Sequence, residues 1–230
     1  MIGVTQLLSK PLQPGPSWNA DIFGDQSNML TSNFSNSSLS TIEGNGSGFS
    51  VISGTAAYNL NVPKLGFVKS LTLSQNANNQ QIDYSMQTGD SNANVKAYSF
   101  WVYTDRHDND DNLVLNVNLK RQNNGYMQVY AYNSDRSASV YDQFNSIAED
   151  TWVHICVVDE GSTMRTYTNG NSIGTIGISS KIILDPIYPR VLYLSDADAR
   201  NETFITGVRM FNRSLSQSEV TTLYNEEPSY

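Results

Sequence analysis

The stretch Thr151–Gly174, TWVHICVVDEGSTMRTYTNGNSIG, decides the fold. Its first run, Trp152–Val158, sets Val153, Ile155 and Val157 on one face and Trp152, Cys156 and Val158 on the other. A strand apolar on both faces must be covered on both, so this run belongs inside a packed structure. Asp159–Ser162 turns the chain and Met164–Thr168 carries it back. Asn169-Gly170 then marks a tight hairpin, because a type I′ turn needs positive φ at both central positions. A buried strand feeding a hairpin is the core of a β-sandwich.

Working outward, the bulk numbers bound the answer. A chain of 230 residues is the size of one sandwich or barrel and buries a sizeable core. The net charge is −8, with 14 Lys and Arg against 22 Asp and Glu. That balance opposes a nucleic-acid partner, which needs clustered cations, and suits cation binding in loops. The single cysteine, Cys156, excludes an intrachain disulfide and reads as a small core hydrophobe. The opening MIGVTQLLSKPLQPGPSW is too short in its apolar run for a signal peptide. No run approaches the ~20 apolar residues of a membrane span, so no membrane insertion is expected. Asn-x-Ser/Thr sequons stand at Asn33, Asn36, Asn45, Asn201 and Asn212; in so Asn- and Ser-rich a chain, chance explains them better than glycosylation.

Residues 1–17 read as an extended arm, since Pro11, Pro14 and Pro16 favour open backbone, and residues 18–230 as a single sandwich domain. Trp18–Phe23 is the first expected anchor, and Asn33–Gly48 is loop. Gly48–Thr55, Phe67–Leu73 and Val95–Thr104 read as strands. In the last of these Ala97, Ser99, Trp101 and Tyr103 share one face, and Tyr98, Phe100 and Val102 the other.

Leu113–Lys120 alternates, with Leu113, Leu115, Val117 and Leu119 on one face and Asn116, Asn118 and Lys120 on the other. Tyr126–Asn133 alternates too: Met127, Val129 and Ala131 against Tyr126, Gln128, Tyr130 and Tyr132. Pairing the two apolar faces requires an odd loop, supplied by Asn123-Asn124-Gly125. That register sets Leu119 opposite Val129, Val117 opposite Ala131, Asn118 opposite Tyr130 and Asn116 opposite Tyr132. Further on, Val191–Leu194 and Phe204–Phe211 read as strands. One helix closes the chain, with Ser216 as N-cap, Glu219 completing a capping box, and Leu215 and Val220 as a hydrophobic staple.

These residues resemble a known family. Phe204–Tyr224, FITGVRMFNRSLSQSEVTTLY, resembles the closing strand and helix of laminin-G-like jelly rolls in the concanavalin A-like lectin/glucanase superfamily. Ile205, Val208, Arg209, Met210, Phe211, Asn212, Arg213, Leu215, Ser216 and Glu219 fit that pattern, and Thr206 departs from its usual Asp. Trp152-Val153-His154-Ile155, Tyr167-Thr168-Asn169-Gly170 and Ala97–Val102 resemble three further strands of the family, in order, over Val95–Tyr224. The resemblance implies an all-β fold: a two-sheet antiparallel jelly-roll sandwich with a short C-terminal helix. It implies no single function, since the superfamily holds lectins, glycosidases, adhesion modules and virion proteins.

Three chemistries compete. Calcium is the candidate cofactor, against the alternative of a solvated acidic turn: Asp108, Asp110 and Asn112 alternate as hard oxygen ligands, and the resemblance places calcium at a sandwich edge between separated loops, which points also to Asp196 and Asp198. Leu113 and Leu119 stand where an EF-hand needs Gly and Glu, so that motif is excluded. Glycan binding is the second: Tyr126, Tyr130 and Tyr132, with Asn116, Asn118 and Gln128, form an aromatic and amide surface if that face is open. Catalysis is the third and weakest. The superfamily's E-x-D-x-x-E strand is absent, and Asp196-x-Asp198-x-x-x-Glu202 lies in an expected turn with different spacing. His154 fits the family's structural strand histidine, and zinc lacks His and Cys ligands.

The sequence therefore reads as a non-catalytic carbohydrate-binding or adhesion module on a virion or cell surface, with a glycan or surface protein as partner. The alternative is a structural virion component, or a homo-oligomer, held through the N-terminal arm. A glycoside hydrolase is a remote third.

Overall fold

The computed structural model describes residues 21–32, 34, 48–59, 62–63, 69–73, 80–85, 91–104, 112–120, 126–145, 147–194 and 203–226, with backbone alone at 48, 85, 112, 113, 118 and 120. The expected arm, residues 1–17, lies outside the described residues. Two antiparallel sheets make up the fold. The first runs β13 (Asn171–Gly177), β12 (Thr163–Thr168), β11 (Val153–Asp159), β6 (Ala97–Thr104), β15 (Thr203–Phe211), β4 (Ser70–Leu73) and β3 (Ala56–Asn59), with β1 (Asn28–Ser32) also on β15. The second runs β10 (Ser139–Asn145), β9 (Tyr126–Tyr132), β8 (Val117–Lys120), β7 (Asn112–Val114), β14 (Arg190–Leu194), β5 (Gln80–Ser85) and β2 (Gly48–Ser53). Their inner faces share one core that includes Phe100, Ile155, Val157, Ile205 and Met210 from the first sheet and Ile82, Val117, Met127 and Val129 from the second.

The deciding stretch folds as its pattern requires. β11 is buried along its whole length between β12 and β6. Asn169 and Gly170 take φ of 48° and 76°, the left-handed pair that joins β12 to β13. Gly170 has a second reason to be glycine: a Cβ there would meet the Tyr224 ring 3.2 Å away.

The helix α1 (Gln217–Asn225) carries the expected capping box, with the Glu219 N–H donating to Ser216 Oγ and the Ser216 N–H donating to Glu219 Oε2. It lies on the outer face of the first sheet, where Val220, Leu223 and Leu215 pack with Cys156, Val158, Tyr167 and Phe211. Ile22 and Phe23 join that layer, Phe23 with its ring 5.6 Å from Phe211. Arg209 is 1 % exposed on the same face and pairs with Glu226 at 2.6 Å, tying β15 to the helix end. Burial pulls the Arg209 guanidinium down to about 10 despite that partner.

Two expectations fail in the second sheet. Leu113–Lys120 is not one strand: the chain reverses at Leu115-Asn116, and Val114 pairs with Val117. Leu113 consequently shares a rung with Asn118 instead of the face of Val117. The β8–β9 register also differs. Val117 faces Val129, Leu119 faces Met127, and Asn118 faces Gln128 and not Tyr130, so five residues and not three separate the strands. A slip of two residues keeps every side chain on its face, which is why alternation alone cannot detect it.

Candidate functional site

The outer face of the second sheet carries the aromatic surface. Met127, Val129 and Ala131 of β9 point into the core, so Tyr126, Gln128, Tyr130 and Tyr132 point away from it. β10 adds Tyr141, in register with Tyr130 and 49 % exposed. The Tyr130 ring stands 5.4 Å from Tyr141 and 6.0 Å from Tyr132, stacked with the latter at 13°. Tyr130 donates its hydroxyl to Gln128 Oε1 at 2.7 Å, which fixes the ring.

Beyond Tyr132 the row continues as alternating rings and guanidiniums. Arg136 lies 5.5 Å from the Tyr132 centroid and 4.5 Å from Tyr188; Arg190 lies 4.8 Å from Tyr188 and 4.5 Å from Tyr193. Each contact is a cation–π pair. Burial chiefly, together with the nearby Asp185 carboxylate, pushes the Tyr132 phenol up to about 12. Both cations have carboxylates beside them: Arg136 Nε pairs with Asp185 at 2.9 Å, and Arg190 shares a rung with Asp83. Arg190 also donates Nε–H to Gln81 Oε1 at 3.1 Å. From β10 to β14 the row crosses four strand spacings, about 19 Å at ~4.8 Å each.

The sequence-chosen residues divide. Tyr126, Tyr130 and Tyr132 are half-buried on this face. Gln128 is on it but buried at 5 % exposure, so it supports Tyr130 and does not present its amide. Asn118 is placed by register at the Gln128 rung. Asn116 is a correction: it sits in the β7–β8 turn, with its Nδ2 donating to the Ile183 carbonyl at 2.7 Å and its Oδ1 accepting the Asp185 N–H at 3.0 Å. It anchors the segment that holds Tyr188. Asp185 Oδ1 accepts the N–H groups of Ile187 and Tyr188 within that same segment.

Sequence reasoning missed Tyr141, Arg136, Tyr188, Arg190 and Tyr193. Only β10 had a usable signal: Val140 and Phe144 at even positions against Tyr141, Gln143 and Asn145 at odd ones. Asp142, on the Val140 side, breaks the apolar pattern; a charge at that parity protects an edge strand from further pairing.

Among the proposed calcium ligands, Asp108, Asp110, Asp196 and Asp198 lie outside the described residues, and Asn112 is described in backbone alone. The flanking rungs are described: Thr104 pairs with Thr203, and Leu113 pairs with Tyr193. Among the described residues no group of three His, Cys, Asp or Glu side chains forms a metal-binding cluster. His154 is buried 5.2 Å from the Trp101 ring and 6.1 Å from Tyr224, under the helix layer. Complete burial pushes the Cys156 thiol well above its ordinary value, so it is inert as a nucleophile.

Two packed antiparallel sheets, one roofed by a helix and one faced with tyrosines, define a jelly-roll sandwich of the lectin type. The chain belongs to the concanavalin A-like lectin/glucanases superfamily, whose family model matches residues 76–221. No curated protein matches the chain significantly.

Among solved structures, the binding domain of Paraclostridial Mosquitocidal Protein 1 is similar at TM-score 0.67 and 14% identity, over 86% of this chain and 52% of that one. The binding domain of botulinum neurotoxin DC in complex with rat synaptotagmin II is similar at TM-score 0.64 and 14% identity, over 86% and 51%. The chain thus spans about half the length of these toxin domains. Domain 4 of AbnA, an extracellular arabinanase from Geobacillus stearothermophilus, in complex with arabinotriose, is similar at TM-score 0.59 and 17% identity, over 86% of this chain and 100% of that one. Among the described residues no helix is long and apolar enough to cross a membrane.

Proposed function

We propose that this chain is a non-catalytic glycan-binding module whose site is the tyrosine face of the second sheet. The observation that carries the reading is the Tyr141–Tyr130–Tyr132 cluster, three phenol rings side by side on one outer face, with Tyr141 half in solvent. Amphipathic rings of this kind offer flat apolar area to the C–H face of a sugar and hydroxyls to its rim. The arabinotriose-bound domain supports the class, because this chain matches its entire length. The toxin domains support it less directly, since only half of each is matched. The non-catalytic reading is supported by the two toxin matches, both binding domains, and by a sequence that lacks the glucanase acid motif. The setting it implies is an extracellular or virion surface.

The test is a glycan array probed with the intact chain and with Tyr130→Ala. The reading expects at least a tenfold loss of binding in the variant with its thermal midpoint retained; equal binding would refute the face. Calcium belongs to the same proposal, with Asp105–Asn112 and Asp196–Glu202 as the segments to test, supported by the pairing of the described residues beside them, Thr104 with Thr203 and Leu113 with Tyr193. Isothermal titration with calcium should then show saturable binding that Asp108→Asn weakens.

A further inference from the structure

The open edge of the sandwich carries a second concavity. β10 ends one sheet and β13 ends the other. Where these edges approach, a cavity of about 610 Å³ opens between β10, the start of β11 and the β12–β13 hairpin. Small-ligand sites fall in the range of ~300–1,000 Å³. Its floor is apolar: Ile147 and Val153 are buried and Phe144 half-buried. A Cβ at residue 174 would stand 2.6 Å from Phe144 Cε1, so glycine there is what lets the ring lie against β13.

The rim is made of amides and hydroxyls: Gln143, Asn145, Thr151, Thr168 and Asn169. Among the described residues that line it none is charged. Asn169 is held in place, since its Oδ1 accepts the His154 N–H at 2.9 Å and its own N–H donates to the His154 carbonyl at 2.8 Å. Only the carboxamide oxygen can accept that N–H, so the NH2 group is turned the other way, as a fixed donor.

We propose that this cavity is a subsite for one neutral sugar ring, an inference that rests on the glycan-binding reading of the tyrosine face and extends it. The lining argues the class. An apolar floor accepts the C–H face of a ring, and a rim that both donates and accepts matches its hydroxyls. A charged ligand would lose hydration here with no counter-charge to replace it. The cavity also continues the tyrosine face. Tyr141, Gln143 and Asn145 alternate outward along β10, so the rim begins about 7 Å from Tyr141, at Gln143, and extends to about 13 Å, at Asn145, at ~3.3 Å per residue. One oligosaccharide can therefore stack on the tyrosines and place a terminal unit in the cavity.

The test is protein-observed NMR of the full chain, titrated separately with galactose, N-acetylglucosamine, arabinose and, as a charged control, galacturonate. At least one neutral sugar should shift the Asn145 and Asn169 side-chain amides and the Ile173 methyls saturably, and galacturonate should not. Ala148→Trp, at an exposed lining position, should abolish those shifts, while Tyr130→Ala leaves them intact. Gln143→Ala, a smaller rim change, should weaken binding several-fold and serves if the tryptophan disturbs the fold. The proposal is overturned if no neutral sugar moves these resonances, if galacturonate moves them more, or if both rim variants bind as the parent does. Failure of the tyrosine-face reading would show separately, as unchanged glycan-array binding by Tyr130→Ala.

Discussion

The two sheets share a core but treat their outer faces oppositely. The first sheet's outer face is roofed: Ala97, Cys156, Val158, Tyr167 and Phe211 lie under Leu215, Val220 and Leu223, with Trp101 stacked on Tyr224 at 5.6 Å. The second sheet's outer face carries tyrosines, amides and two arginines, with Tyr141 49 % exposed. The difference is written strand by strand. β11 is apolar on both sides and buried throughout, whereas β10 alternates between exposed and half-buried positions. A face of pure hydrocarbon has to be covered, while a face of phenols can stay in water and keep its apolar area for a ligand. The roof explains why the first face is closed, and the phenols why the second can stay open.

The largest expected effect breaks this comparison at the roof. Leu223→Ala should cost about 2–5 kcal/mol in urea unfolding, the range for a buried leucine. Tyr141→Ala on the other face should stay within about 0.5 kcal/mol. Equal costs would mean that the second face is also structural.

High pH is the next lever. Cys156 under the roof and Tyr84, Tyr98 and Tyr132 elsewhere are all held above their ordinary values, chiefly by burial. Each raised acid ionises first in the unfolded chain. Stability is therefore full below the ordinary thiol and phenol values of 9.0 and 10.0 and is lost as pH climbs past them. Cys156→Ala should blunt the earliest part of that loss in pH-dependent urea unfolding.

A smaller effect sits at the start of the roof helix. Ser216→Ala should cost about 1 kcal/mol. Glu219, held below its usual range first by the Arg213 hydrogen bond and also by Ser216, adds stability that is present above 4.5 and lost as pH falls through its lowered value. An acid titration of thermal midpoints should show this step, and Glu219→Gln should remove it.

These faces were not equally legible in the sequence. Trp152–Val158 has apolar residues at every position but His154, and nothing except an interior strand satisfies that pattern. Ser216 and Glu219 announce the helix by chemistry alone. The second sheet was harder because its β7–β8 turn carries neither Gly nor Pro. The run NLVLNVNL nevertheless reverses at Leu115, which takes φ of 52°. Burial of that leucine, at 3 % exposure, offsets a strain no local pattern reveals. The tyrosines of β9 were readable from alternation. Arg136, Tyr188 and Arg190 were not, because only the folded chain brings a turn, an Asp185-anchored segment and β14 side by side.

The smallest expected effect is an absence of one. Two arginines on a proposed binding face invite the idea that it captures anions. Their partners argue otherwise: Arg136 is paired with Asp185 and Arg190 stands beside Asp83 and Gln81, so the row is close to neutral. The guanidiniums then act as planar spacers between rings, extending the stacking surface toward Tyr193. Stacking on apolar faces is not screened by salt, whereas attraction between exposed charges weakens over a Debye length of ~8 Å at physiological ionic strength. Glycan affinity should accordingly stay within about twofold between low and high salt, measured by biolayer interferometry on whichever glycan the array selects. A steep fall with salt would reassign the face as an anion site and make the tyrosines its scaffold.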